Sequence, residues 1–464
     1  MNQTSIPLCR GIMTRRIPYA TLIGSVIAVL IVFTPMKGLD YQGHLALALL
    51  VFAVAVWSSE VLPLAVSSII VVLIQPLMGV ATFGRALSGF ANPILFLLLG
   101  GFIIAEGVSA SGIVNRVASS LVSRLRGNSG LILLAVILIT GVLSAWINNV
   151  VAFAITLPIV RLIIEMEGSA GSGTSNFAKR MMLGASYGSL AGGLATEIGT
   201  APNLIATAYV KLSFLNWMTF GFPLAFVLML IVWRILIVVF PIEAAEIATS
   251  YGSISSESLK RSPLHTHEKA TLAILMLVIV LLITEPLTGI DSNSVTLFGA
   301  ALFLVSGILR WNHVQKNIDW GMIVFFGAAL SVGNDFIATG AATWMIGIVT
   351  SVVGNSSPLI YVMIFMLIGA SLTQVVTNVG LATILMPLAT LLAGQMNLAP
   401  STFVVPSAVA CSLSFMLPMA DPTTAMAYGT GFLSTKDIFK AGLPMTVIAV
   451  IISIPVIFAA LHLI

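Results

Sequence analysis

Two stretches decide how this chain is read. Ser144-Ala-Trp-Ile-Asn148-Asn149-Val150, closed by Pro158, and Thr373-Gln-Val-Val-Thr377-Asn378-Val379, closed by Pro387, can be laid over each other at a constant spacing of 229 positions. Each opens on a hydroxyl, carries Asn-Val five and six residues later, and reaches Pro after eight more. One Asn-Val pair would be noise; the whole spaced pattern is a repeat. Both copies lie inside apolar runs too long for one straight span. Between Arg126 and Arg161 there are 34 residues without a charge, roughly 50 Å of helix at 1.5 Å per residue against a hydrocarbon core of about 30 Å. Residues 336–420 carry no charge at all. Polar residues in the middle of such runs imply interrupted helices and re-entrant hairpins, whose irregular backbone is tolerated only where it lines a cavity or is buried in protein.

Two further pairs flank the first. Leu99-Gly100-Gly101 resembles Phe326-Gly327-Ala328, 227 positions on, each following a loop and an apolar stretch and preceding a polar tip, as a re-entrant hairpin would. Ile198-Gly199-Thr200-Ala201-Pro202-Asn203 corresponds to Met419-Ala420-Asp421-Pro422-Thr423-Thr424, 221 positions on. Paired interruptions in two halves point to a transporter site near the membrane midplane.

The composition agrees. Of 464 residues, 58% are hydrophobic and 8% charged, and the mean hydropathy is +1.10. A soluble domain carries about 25% charged residues, so this chain is an all-α polytopic membrane protein with room for about eleven spans. Unbroken apolar runs exclude an outer-membrane barrel, whose segments alternate over about ten residues. Twenty Lys and Arg against sixteen Asp and Glu is the surplus of basic cytoplasmic loops, not a nucleic-acid-binding surface. Cys9 and Cys411 lie in unlike settings and form no disulfide framework or metal site. His265 and His267 are read as solvated loop residues. No phosphate-binding loop or dinucleotide fingerprint is present, so uphill transport would run on an ion gradient.

Arg10, Arg15 and Arg16 precede the charge-free run 17–36. That run lacks a clear cleavage site and is followed by further spans, so it reads as a first transmembrane helix with residues 1–16 as a cytoplasmic tail in the plasma (inner) membrane. Residues 243–269 form the longest polar stretch and read as the loop between the two halves.

Asn, Thr, Ser and backbone carbonyls at a helix break are oxygen ligands suited to Na⁺, and half-helix N-termini offer N–H groups and positive dipole ends to an anion. The competing reading of Asn149 and Asn378 is interhelical hydrogen-bonding glue. Two asparagines, each beside a repeat-matched break, favour a site.

With those motifs in place, the sequence resembles the divalent anion:sodium symporter family, which includes the INDY-type dicarboxylate transporters, over most of its length. Trp57-Ser-Ser-Glu60-Val-Leu-Pro63 resembles the family's W-x-x-E-x-x-P element. Gly89-Phe90 through Gly100-Gly101-Phe102 resembles its first hairpin. Gly192-Gly193 through Ile198-Gly199-Thr200-Ala201-Pro202-Asn203 resembles its GG…IGTPPN segment, and Phe415-Met416-Leu417-Pro418 with Ala420 and Pro422 the matching segment of the second half. The family's two Ser-Asn-Thr motifs, which contact substrate carboxylates, read Asn148-Asn149-Val150 and Thr377-Asn378-Val379 here. Both Asn persist, and both terminal Thr hydroxyls are replaced by Val. Asp421 stands where the family has Thr beside the substrate, and Glu197 lies near Gly199.

The resemblance implies a homodimer in a lipid bilayer, each subunit having a fixed scaffold (17–85 and 217–310) and a mobile transport part (86–210 and 318–464) built as inverted-topology repeats with two re-entrant hairpins and two broken helices. It implies one Na⁺ cage from Ser144, Asn148, Asn149 and Gly199, and another from Thr373, Thr377, Asn378 and Ala420. It places the small anionic substrate against Asn149, Val150, Thr200, Thr377, Asn378, Val379, Asp421 and Pro422.

The expected function is import of a small divalent anion, dicarboxylate or sulfate-like, coupled to Na⁺ by elevator-type alternating access, with no other cofactor. The alternatives are a proton-coupled, exchange or efflux permease of the same fold, or an anion channel. An intramembrane enzyme is disfavoured, because no HExxH, GxSxG or clustered acid pair sits at membrane depth. Asp421 has two readings: an aqueous loop residue that caps the next helix, or a site residue. It is the one charge between Asp335 and Lys436, and an ionised residue inside the membrane is functional by default. In a site it would repel a dianion unless a bound cation or a proton relieves it, giving uptake that rises at mildly acidic pH through H⁺ coupling.

Overall fold

A computed structural model describes residues 19–34, 36–59, 62–113, 116, 128–166, 175–210, 212–242, 265–354 and 356–461. The tail 1–16 with its three arginines, Cys9, Glu60, and residues 243–264 of the polar loop lie outside them. The described residues form helices and no strand. In chain order the principal helices are α1 (Tyr19–Phe33), α2 (Tyr41–Ser59), α3 (Leu64–Leu77), α4 (Ile94–Ala110), α5 (Ser129–Trp146), α6 (Asn149–Met166), α7 (Asn176–Gly193), α8 (Ala201–Thr207) and α9 (Phe214–Val239). They continue as α10 (Thr266–Ile283), α11 (Ser292–Val305), α12 (Trp311–Asn317), α13 (Trp320–Ala338), α14 (Ala341–Val353), α15 (Pro358–Leu372), α16 (Asn378–Gln395), α17 (Ser401–Cys411), α18 (Pro422–Gly429) and α19 (Thr435–Leu461).

Seven of these are long and apolar enough to cross a membrane, or eight if α14 and α15 are taken as one bent span, and five more are shorter apolar helices. Lipid explains the pattern of exposure. In α1, Leu22, Ile23, Val26, Val29, Leu30 and Phe33 all lie open, which water would not tolerate and acyl chains do. Hydroxyls inside such helices are satisfied locally: Ser67 and Ser68 on α3 donate to Leu64 O at 2.9 and 2.7 Å.

By contacts the chain forms two compact units. The first comprises the described residues through Phe90 together with Trp320–Trp344. There α3 packs against α13, and α2 against both α1 and α3. Trp57, fully buried, meets Phe325 edge-on at 4.8 Å. Asp335, 2% exposed, is paired with Arg85 at 2.8 Å, and Ser331 donates to Gln75 Oε1 and Ala86 O.

The second unit comprises the described residues of Ala91–Asp319 and from Met345 onward, and it holds both helix breaks. Its most intimate pair is α5 with α7, made possible by small residues. A Cβ on Gly192 would overlap the backbone of Gly141, and one on Gly188 would lie 2.8 Å from Ile137 O; only glycine allows the two backbones so close. From Met181 to Gly193 every residue of α7 is buried. Tyr187 reaches across with its hydroxyl, donating to Phe415 O at 2.7 Å and Ile438 O at 3.0 Å. His265 proves to be the N-cap of α10, its N–H held by Glu268 at 2.7 Å in a capping box.

Candidate functional site

The long charge-free runs break where the motifs stand. α5 ends at Trp146, Ile147 is extended, and α6 starts at Asn149. α15 ends at Leu372, and α16 starts at Asn378. α6 and α16 each have 18 residues, and their ends fall 229 positions apart, the spacing of the motif. Each break is sealed by its own polar residue: Asn148 Oδ1 accepts from Val150 N–H at 2.9 Å, and Thr377 Oγ1 accepts from Gly380 N–H at 3.3 Å. These are N-caps, which satisfy donors that a helix start leaves unpaired.

A second pair of breaks faces the first. α7 stops at Gly193 and α8 starts at Ala201; α17 stops at Cys411 and α18 starts at Pro422. The chain between them is irregular backbone held by side chains, buried in the first half and reaching the surface at Met419 in the second. Asn203 Nδ2 donates to Gly193 O at 3.2 Å and Thr196 O at 2.8 Å, and Thr196 donates to Ala145 O. In the second half the work falls to Gln374, whose Nε2 donates to Ala370 O and Leu413 O at 2.8 and 2.9 Å, while its Oε1 accepts from Met416 N–H at 2.9 Å.

The breaks converge on Asp421. Its Oδ1 accepts from Thr423 N–H at 2.8 Å and Thr423 Oγ1 at 2.7 Å, so it is the N-cap of α18. Its Oδ2 accepts from Asn149 Nδ2 at 3.2 Å and Asn378 Nδ2 at 3.0 Å. One buried carboxylate oxygen thus joins the two motif asparagines, one from each half. Asp421 is a cap, but at 3% exposure it caps from inside the protein rather than from an aqueous loop. All four contacts, from three residues, are donated to it, the pattern of an ionised acceptor. Asn378 is further fixed: its Nδ2 donates to Ser414 Oγ at 3.1 Å, and its Oδ1 accepts from Thr373 Oγ1 at 2.6 Å. Thr373 also meets Cys411 O at 2.6 Å.

The remaining sequence-derived residues surround this centre less uniformly. Thr200 is buried and shares a hydrogen bond with Ser412 at 3.1 Å. Val379 is buried and Val150 half-buried, and neither side chain can contribute a polar atom. Pro422, exposed, serves as the first residue of α18, where its fixed φ suits a helix start. Ala420 is buried in the short turn Pro418–Ala420.

Ser144 Oγ is buried without a hydrogen-bond partner. It lies 3.0 Å from the point that a Cβ on Gly193 would occupy, and Gly199 O lies 3.0 Å from the same point. The Thr200 methyl is nearer still, at 2.7 Å; the orphaned hydroxyl and the carbonyl beside it are oxygen ligands of the kind a small hard cation such as Na⁺ takes. Glu197, 1% exposed, lies beside Ser292 with its Oε1 unpartnered. Sequence reading missed Gln374, Ser412, Ser414 and Thr423. The signal available for the first three was their polarity within an 85-residue stretch that has no charge, and for Thr423 its place two residues after Asp421.

The sequence matches the citrate transporter family (CitMHS) over residues 52–410. It is 27% identical, over 459 residues, to the sodium-dependent dicarboxylate transporter SdcS of Staphylococcus saprophyticus, covering 92% of this chain and 88% of that one. It is likewise 27% identical to the protein of that name from Staphylococcus aureus strain MRSA252, over 478 residues, covering 95% and 92%. In fold it is similar to the crystal structure of the Alcanivorax borkumensis YdaH transporter, described as having an unusual topology. The TM-score is 0.55 at 15% identity, covering 96% of this chain and 99% of that one. These matches bear out the resemblance read from the motifs. The chain, a multi-pass membrane transporter and not an enzyme, belongs to the citrate transporter family.

Proposed function

We propose that the protein imports a small divalent anion, a dicarboxylate or a sulfate-like ion, together with Na⁺. The observation that carries this reading is the meeting of Asn149 and Asn378, from repeat-matched helix breaks, at one buried point. Amide donors and half-helix N-termini gathered there recognise an acidic group, and the Staphylococcus relatives named above are sodium-dependent dicarboxylate transporters.

Na⁺ would be held near the first break by Ser144, Asn148, Asn149 and Gly199, where Ser144 Oγ lacks any other partner. A second cage would use Thr373, Thr377, Asn378 and Ala420. There Thr373 Oγ1 already bonds to Asn378 and Cys411 O, so an ion would have to exchange with those bonds. Thr200, Thr377 and the N-terminal ends of α6, α8, α16 and α18 complete the anion cradle, with Val150, Val379, Asp421 and Pro422 lining it.

Alternating access would be of the elevator type. The parts 86–210 and 318–464 would move as inverted repeats against a scaffold of 17–85 and 217–310, in a homodimer in the plasma membrane with a cytoplasmic N-terminus. The proton-coupled alternative rests on Asp421. The four bonds donated to it by three residues suit an ionised acceptor, which favours Na⁺ as the coupling ion.

A thermal-shift screen of succinate, citrate and sulfate, in NaCl and in KCl, tests substrate and coupling ion together, because a ligand stabilises the state that it binds. Stabilisation by one of these anions in Na⁺ alone is expected. Counterflow in proteoliposomes then separates carrier from channel: exchange of label against excess unlabelled substrate requires alternating access, and its absence would leave the channel.

A further inference from the structure

We infer that Asp421 sets the charge of the ligand. Its carboxylate competes with an incoming carboxylate for the amides of Asn149 and Asn378, so the divalent anion that the protein carries is held less tightly than a neutral residue here would allow, while a ligand with one acidic group is held about as tightly. The inference rests on the anion-carrier reading above.

The argument is one of occupied donors. Asn378 Nδ2 has two hydrogens, and the structure uses both, one on Asp421 Oδ2 and one on Ser414 Oγ. Asn149 Nδ2 spends one of its two on the same Oδ2. The point where both halves could grip a substrate carboxylate is therefore already filled by one that belongs to the protein. It does not swing away cheaply, because its other oxygen is fixed by Thr423 N–H and Oγ1 as the cap of α18. None of its partners is basic, so nothing in its hydrogen-bond shell cancels its charge. The first half makes the contrast. There the repeat-related residue is Thr200, a neutral hydroxyl that pairs with Ser412. At the repeat-matched position the cradle thus carries a carboxylate on one side only, Glu197 of the first half being turned to Ser292, and a ligand whose second acidic group approaches Asp421 meets repulsion as well as a lack of donors.

Replacing Asp421 with the residue of the other half, Asp421→Thr, returns both amides and removes the charge. The test uses the purified full chain in NaCl at one pH, with succinate and butyrate as probes, which share a four-carbon skeleton and differ by one carboxyl group. In Asp421→Thr the dissociation constant for succinate should fall at least about tenfold, while that for butyrate changes by no more than about twofold. The unliganded variant should also melt at a lower temperature than the wild type, having lost the two bonds that join Asp421 to Asn149 and Asn378. Asp421→Ser is measured in parallel and takes over if the Thr variant is not recovered folded.

Succinate binding that is unchanged or weaker in both variants, while wild type binds it, overturns the inference and leaves the carrier reading intact. Binding of neither acid, nor of citrate or sulfate, by any of the three chains removes the carrier reading and the inference with it.

Discussion

Asn378 and Asn149 occupy equivalent places in the repeat, yet the structure makes them unequal, and that inequality can be measured. Asn378→Ala deletes three hydrogen bonds: to Asp421 at 3.0 Å, to Ser414 at 3.1 Å and from Thr373 at 2.6 Å. Asn149→Ala deletes one, to Asp421 at 3.2 Å. A bond to a charged group contributes about 1.5–3 kcal/mol and a neutral one about 1. Thr373 keeps Cys411 O, so its loss is partial. The sum is about 2.5–5 kcal/mol for Asn378→Ala and about 1.5–3 for Asn149→Ala, the difference being the neutral bonds, about 1–2 kcal/mol. Thermal unfolding in detergent should therefore place Asn378→Ala clearly below Asn149→Ala, and both below wild type. Uptake into proteoliposomes, normalised to inserted protein, should be lost in both, because each removes one half of the grip. Equal melting temperatures, or a lower one for Asn149→Ala, would refute the hydrogen-bond argument. Normal uptake by the double Ala variant at ordinary abundance would put the site elsewhere.

Restoring the missing hydroxyls with Val150→Thr and Val379→Thr together should move competition profiles toward C4-dicarboxylates, and an unchanged profile would count against their role. Gly192→Ala forces a methyl into the Gly141 backbone and should cost about 3 kcal/mol or more of stability. Gly101→Ala, with nothing within 4 Å, should leave the melting temperature within the scatter of wild type. Arg85→Ala leaves Asp335 buried and uncompensated; half of the Arg side chain is exposed, so the loss should be about 2 kcal/mol, below the range for a fully buried pair, and adding Asp335→Asn should recover part of it. Exchanging Na⁺ for K⁺ should abolish anion-induced stabilisation without changing the melting temperature of the unliganded chain by a comparable amount.

The breaks were legible in the sequence because a membrane makes them so. Asn148-Asn149 and Thr377-Asn378 interrupt runs that are otherwise too long and too apolar, and helix ends fall at Trp146 and Asn149, and at Leu372 and Asn378. The network around them was not legible, since the two halves accomplish one task with different residues. Gln374 stitches the second half together, while its repeat counterpart is Ala145, whose carbonyl is instead held by Thr196. Asn203 braces the first half, and its counterpart is Thr424, which pairs with Ser186. A repeat search sees shared letters, not shared work. Asp421 was legible as an anomaly and as the counterpart of Thr200. Its simultaneous contact with Asn149 and Asn378 required three dimensions, for those residues lie 272 and 43 positions away.

The lone carboxylate at the meeting of the breaks also has an electrical meaning. In the alternating-access cycle proposed above, an empty site with only neutral side chains would cross the membrane without sensing its voltage. A site carrying Asp421 crosses as a negative charge. Moving one elementary charge through the full potential changes the free energy by about 2.3 kcal/mol per 100 mV. The return of the unloaded carrier would then be a voltage-dependent step, and the loaded carrier would need one more cation than its substrate's own charge demands to travel neutral. The currents of such a protein would depend on potential even where its substrate and coupling ions balance each other.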